Sequence, residues 1–362
     1  MKLLGRSLAI ASLIAICIVG NTSSRADDEK DRDLRFNGYV TNKLTSNVPG
    51  QAANTDPVLQ NAWGVTFTPG NSPFWISDNA TGCSTLYDGQ GIPQPLPPTG
   101  PLKVKIPLPN GDVSTACKPA DPQNPPSPTP AGPTGLVWNP TSTFLVPNMG
   151  RAATFIFSTE NGTLAAWTGG LSPPDVAVLA FTSKTAVYKG LVFGTNPNGV
   201  FLFATNFHDG TVDVFKPADS TSNGQYIQTT TTGGFTDSNI PKGYAPFGIE
   251  NIDGDLFVSY AKQDAAKHDD VAGPGNGFVD VFDTDGNLLR RFASRGPLNS
   301  PWGMTRASFD FGRFSGLILV GNFGNGKINV FSSQGQFIDE LDRPNGKPLV
   351  IDGLWKLILG GG

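Results

Sequence analysis

Four short runs between residues 190 and 230 decide the fold: GLVFG (190–194), VFLFATN (200–206), GTVDVFK (210–216) and YIQTT (226–230). Apolar and polar residues alternate along GTVDVF with the period of two that sends successive side chains to opposite faces of a strand. The pattern returns further on as LILVGN (317–322), GKINVF (326–331) and FIDEL (337–341). Its first element recurs most clearly, as NAWGVTF, PTGLVW, YKGLVFG, APFGIEN, SPWGMTR and DGLWKLIL. The glycines of these runs are Gly64, Gly135, Gly190, Gly248 and Gly303, with Lys356 in the sixth place. Four short strands about every 55 residues are the signature of a propeller blade with generous loops. A glycine on the first strand fits the crowded centre of such a ring, where a missing Cβ lets backbones approach. The reading is an all-β protein: a β-propeller, six-bladed with an incomplete last blade, over residues 36–362. No stretch with helical periodicity and caps competes with it.

Composition agrees. Gly (44) and Pro (31) are abundant, only 15% of residues are charged, and Phe (24) dominates the aromatics, as suits many strands joined by tight turns. The net charge of −4 carries no basic run, so nucleic acid is excluded as a partner on electrostatic grounds.

The N-terminus reads differently. Lys2 and Arg6 precede an apolar run over 8–19, and Ser24, Arg25 and Ala26 offer a small-x-small cleavage site before a charged segment at 27–35. This is the pattern of a signal peptide at 1–26, predicting a secreted or periplasmic protein. The run is too short to span a bilayer, so no transmembrane segment is expected once it is removed. Cys83 and Cys117 then remain, and in an oxidising compartment such a pair points to a disulfide more than to a metal site, with two free thiols as the alternative. Between them runs a proline-rich insertion, 92–133, expected to be an extended surface loop. The segment 38–44 alternates like a strand ahead of the first unit. It is expected to close the ring as the outer strand of blade six, covering an otherwise open sheet edge.

With these residues in view, the chain resembles a largely uncharacterised family of exported bacterial propellers, some carrying a PEP-CTERM sorting tail. The resemblance runs over about 36–355 and rests on NTDPVLQNAWGV, FIFSTENGTLAAW, AVYKGL, FLFATNFHDGTVDVF, APFGIENI, AKQDAAKHDDVAGPGNGFVDVFD, RFASRGPLNSPWGM and LVGNFGNGKINVF. It implies a six-bladed architecture of the NHL and lactonase type and no particular reaction. The chain departs from the pattern at Lys356, where glycine is expected, in lacking a sorting tail, and in stopping at GGG. Only two strands, 354–359 and 38–44, then remain for blade six, so the C-terminal segment is expected to be the least ordered.

Loops joining strands two and three share a face with the connections between blades, and that face usually carries the site. Asp78, Asn206 and Asn322 each lie nine residues before an aromatic, Tyr87, Phe215 and Phe331, which aligns them. In the second unit Glu160 takes the position in one frame and Asn148 in another, Glu160 fitting more of the flanking pattern. Asp78, Glu160, Asn206 and Asn322 could therefore ring the channel mouth. Such a set of oxygens suits Ca²⁺, although Asn and Asp also simply end strands and begin turns. Both histidines fall on the same loops, as His208-Asp209 and His268-Asp269-Asp270, where an imidazole beside carboxylates could serve as a general base or a transition-metal ligand. KQDAAKHDD lacks the EF-hand spacing, and no G-x-S-x-G, H-E-x-x-H or phosphate loop occurs. The expectation is an exported binding or scaffold protein whose loop face engages a small molecule, glycan or protein. The alternative is a calcium-dependent hydrolase of the lactonase type.

Overall fold

The computed structural model describes residues 12–15, 38–70, 72–96, 100–119, 121 and 125–360. The expected signal peptide lies outside this set, apart from a strand at Ser12–Ala15 that pairs antiparallel with Asn42–Ser46. The charged segment 27–35 lies outside it too.

Five antiparallel four-stranded sheets follow one another as blades of a propeller. Blade one is Ala62–Thr66, Phe74–Asp78, Cys83–Tyr87 and Lys103–Lys105. Blade two is Pro133–Trp138, Phe155–Thr159, Thr163–Trp167 and Val178–Thr182. Blade three is Tyr188–Asn196, Gly199–Asn206, Thr211–Lys216 and Ile227–Thr229. Blade four is Tyr244–Ile252, Asp255–Lys262, Phe278–Phe282 and Leu288–Ser294. Blade five is Pro301–Arg306, Ile318–Asn322, Ile328–Phe331 and Phe337–Glu340. No helix among the described residues is long and apolar enough to cross a membrane.

The core lies between blades. Trp75, Val104, Phe155 and Trp167 join blades one and two, and Ile156, Leu164, Tyr188 and Phe215 join two and three. Phe203, Leu256 and Phe282 join three and four, and Phe257, Val281, Val320 and Phe331 join four and five. A two-faced blade buries both sides this way, at about 1.5–3 kcal/mol for each large apolar side chain.

Two expectations are corrected. Among the described residues five blades are complete, and the sixth sector is built otherwise. The inner position is taken by 354–358, since a Cβ on Gly303 would sit 2.2 Å from the Trp355 carbonyl oxygen. Around it, 341–351 folds back on blade five through Leu341 N–H to Ile328 O and Ile351 N–H to Gly326 O. Tyr39 packs on Phe311 and Phe314, with Tyr39 N–H bonded to Asp342 O. The expected outer strand at 38–44 is instead a strand at Asn42–Ser46 that pairs with Ser12–Ala15 and Asn54–Thr55, and only Gly38 bridges to the sixth sector, at Asp342. Leu354, Trp355 and Leu357 are buried, so this end is packed where disorder was expected.

The second correction concerns the insertion. It supplies Lys103–Lys105 as the outer strand of blade one, and Leu102, Val104, Ile106 and Leu108 are buried. The alternation in LKVKIPL is the signal for it, masked by the prolines on either side. The rest is tied down at Cys117, whose N–H meets Thr81 O and whose sulfur is bonded to Cys83.

Candidate functional site at the channel mouth

Each inner strand of the five blades slips register across the same two residues: Trp63-Gly64, Thr134-Gly135, Lys189-Gly190, Phe247-Gly248 and Trp302-Gly303. The bulge leaves both residues out of the ladder. The glycine then faces the next blade at backbone distance: a Cβ on Gly248 would lie 2.1 Å from Trp302 O, and one on Gly135 would lie 2.6 Å from Leu191 N. Hydroxyls fasten the slip. Gly248 N–H donates to Ser259 Oγ, which donates to Pro301 O at 2.6 Å, and Gly190, Thr205 and Phe247 repeat the relay.

The residue before each glycine is thereby turned toward the axis. Trp63 of blade one meets Phe247 of blade four, Trp302 of blade five and Trp355 of the sixth sector, stacking on the last at 3.4 Å. Phe207 and Phe323 extend this plug. Lower down, Lys356 stands among Gly64, Gly135 and Gly190 and pairs with Glu250 of blade four. The long side chain at the sixth position fills space that the glycines leave. The pocket left between these glycines, Trp302 and Lys356 is about 10 Å³, no more than one water needs.

Above the plug lies a polar cluster. Lys189 is 1% exposed, with its ammonium 5.0 Å from the Trp63 ring and 5.8 Å from Phe207. It is paired with Glu160 and lies 3.8 Å from Asp269. Glu160 also accepts from Asn79 at 2.9 Å, Asn79 accepts from Asn61 at 3.0 Å, and Asn61 accepts the Trp355 indole N–H at 3.2 Å. The sixth sector and blades one to three are thus joined in one hydrogen-bonded chain. A buried cation needs this compensation: removing one member of such a pair typically costs about 3–5 kcal/mol.

The predicted site residues are distributed as follows. Glu160 is at the mouth, and with His268 and Asp269 it forms a group whose ligand atoms lie within 4.8 Å of one another. His268 Nδ1 is 2.9 Å from Asp269 Oδ1, and that hydrogen bond, aided by the Glu160 charge, raises the imidazole above its usual pKa against the pull of burial. Asp270 is raised by burial, which Ser300 and the Lys189 charge offset in part. His208 pairs with Asp209 at 2.9 Å; burial opposes ionisation of Asp209, but hydrogen bonds from His208, Asn206 and Thr185 together hold it low.

The other three members of the expected ring have their side chains directed elsewhere. Asp78 accepts from Thr85. Asn206 Oδ1 accepts from Val187 N–H while its amide donates to Asp209 and Asp213. Asn322 Oδ1 accepts from Asn299 N–H while its amide donates to Pro297 O. They tie loops to strand ends. Asn148 sits between strands one and two of blade two, at the opposite end of the blade. The register puts Thr159, not Glu160, in line with Asp78, Asn206 and Asn322; Glu160 follows by one residue. For Ca²⁺, which takes six to eight oxygens, the residues do not fit: three are engaged, and Glu160 already holds the Lys189 ammonium. Sequence reasoning missed Lys189, Asn79 and the aromatic plug. For Lys189, Trp63, Phe247 and Trp302 the signal was their place before a repeat glycine, which holds Trp, Lys or Phe in four of the five complete blades; Asn79 has no such mark.

Fold and site define a β-propeller with a sealed axis and a polar mouth. No known protein-family profile matches the chain. It is 31% identical over 322 residues to one uncharacterised protein of Acanthamoeba polyphaga mimivirus, covering 87% of this chain and 72% of the relative. A second from the same virus is 32% identical over 326 residues, covering 87% and 77%. The chain belongs to the family of these mimivirus proteins. They give no support to a bacterial origin or to a sorting tail. Among solved structures it is similar to a putative 6-phosphogluconolactonase from Bacteroides uniformis, at 14% identity and TM-score 0.44 over 80% of this chain and 70% of that one. It is also similar to virginiamycin B lyase from Staphylococcus aureus, at 12% identity and TM-score 0.40 over 83% and 73%. At these identities the likeness concerns the fold alone.

Proposed function

We propose that the chain is an exported binding protein that engages its ligand on the loop face, around His208, Asp209, His268 and Asp269 at the mouth of the sealed axis. One observation carries this reading: two His–Asp pairs stand exposed on the loop face, whereas the pocket between Gly64, Gly135, Gly190 and Lys356 holds about 10 Å³, far below the several hundred Å³ of a usual small-molecule site. The groups that remain reachable are the loop carboxylates and imidazoles, Asp269 being 67% exposed. A shallow polar face of this kind suits a glycan or a protein surface. The test is a thermal-shift and binding screen of soluble oligosaccharides against the wild type and a His208→Ala/His268→Ala double variant. A saccharide that binds the wild type and loses at least tenfold in the variant supports the reading. Binding unaffected by the double variant rejects it.

The second reading is a hydrolase of the lactonase type using the same mouth. The His268–Asp269 contact favours it, since a carboxylate on Nδ1 orients an imidazole as a general base. Turnover of a lactone panel, lost in His268→Ala and compared with calcium and with chelator, distinguishes it from the first.

A further inference from the structure

Lys189 lies in the repeat element YKGLVFG without being a site candidate of the sequence, yet it is the most buried charge at the mouth. It enters from blade three between Glu160 of blade two and Asp269 of blade four. The ligand atoms of Glu160, His268 and Asp269 are mutually within 4.8 Å. One imidazole with two carboxylates is a donor set that suits zinc or manganese better than calcium. A metal ion bound to this group would lie beside the Lys189 ammonium.

We infer that Lys189 is a tethered cation standing where a divalent metal would sit. As the chain stands, the Glu160–His268–Asp269 group is independent of metal, and neutralising Lys189 converts it into a transition-metal site. Three observations support this. The ammonium already satisfies Glu160, the least exposed of the three donors after the fold is formed. It is held in place, because Trp63 and Phe207 flank it and the side chain is 1% exposed. Two cations at such a distance repel strongly outside bulk water, so lysine and metal exclude each other. The inference does not depend on what ligand the loop face takes.

The test uses the full chain. Metal content is measured by mass spectrometry, and Zn²⁺ and Ca²⁺ binding by calorimetry, for wild type, Lys189→Met and Lys189→Met/His268→Ala. Wild type is expected to carry no stoichiometric metal and to melt identically in Ca²⁺, Zn²⁺ or chelator. Lys189→Met is expected to bind one Zn²⁺ at least 100-fold more tightly than wild type, with at least a tenfold loss on adding His268→Ala. One equivalent of metal in wild type that disappears in Glu160→Gln overturns the inference. So does a folded Lys189→Met that takes up Zn²⁺ no better than wild type. Should Lys189→Met not fold, Lys189→Gln, which keeps a donor toward Glu160, is read in the same way, and the wild-type measurements decide without either variant.

Discussion

Asp78, Asn206 and Asn322 occupy one position of the repeat, and the single carboxylate among them is the anomaly. Asp78 is fully buried, Thr85 serves one oxygen, and the other has no partner among the described residues. Burial pushes its pKa well above 3.8, and the nearby Asp56 adds to this. The folded state therefore holds a proton that the unfolded chain releases near pH 4, so stability falls as pH rises from there through the raised value. Asp78→Asn, which matches its counterparts, should remove that slope and raise stability at pH 7 by about 1–3 kcal/mol; urea melts at pH 4 and 7 check it. His268 gives a slope of the same sign by another route, since here the charged form is the favoured one. Its raised pKa means that the contact with Asp269 stabilises below about pH 6.5 and is lost as pH rises through the folded value. In Asp269→Asn the imidazole should titrate lower, as followed by proton NMR. Lys356 looks like a defect beside five glycines but bonds Glu250 across the axis. Lys356→Gly, the residue that the repeat would call for, should destabilise by about 1–3 kcal/mol by leaving Glu250 unpaired in a partly buried site.

Among the elements, the inner strand and the insertion show what periodicity can and cannot reveal. The repeat glycine was legible because a close approach demands it at every blade. The bulge that turns its predecessor inward was not, since a register slip leaves no mark on composition. The hydroxyl relay is its physical support, and Ser259→Ala should cost about 1–3 kcal/mol by stranding Gly248 N–H and Pro301 O. In the insertion the Cys83–Cys117 bridge closes a separation of 34 residues. The loop-entropy account gives about 3–4 kcal/mol, less whatever the buried strand at Lys103–Lys105 already supplies. Cys117→Ser should lower the urea midpoint by up to that amount, and non-reduced peptide mapping should show the bridge in wild type.

For the whole molecule, the sixth sector decides how the ring closes. Trp355 bridges blade one through Trp63 and blade five through Trp302 and Phe323. No backbone hydrogen bond joins 354–359 to a neighbouring strand among the described residues. Closure thus rests on side-chain packing. Trp355→Ala should cost about 3–5 kcal/mol. Hydrogen exchange should be faster at 354–357 than in the inner strands of blades one to five, although Leu354, Trp355 and Leu357 are buried. Equal protection would show that the segment is paired.

The sequence by itself determined the class of fold and the positions of the six inner segments, and it pointed to the pairing of the two cysteines and to the loop face on which Glu160 and His268 lie. Each of these is local or repeated: strand alternation, a glycine wherever backbones touch, one pair of thiols, loops aligned by a fixed spacing. Only the tertiary structure decided which members of the aligned ring face the mouth. Asp78, Asn206 and Asn322 close the second strand opposite Ala62, Tyr188 and Pro301, where blade two has Thr159, and find partners close to hand. Glu160 lies one residue further on, in line with Asn79, Phe207 and Phe323, and meets a lysine from the next blade. It alone revealed that lysine's burial and the aromatic plug, because these depend on where residues from five sectors converge. Convergence at an axis is a property of the closed ring, and no interval along the chain encodes it.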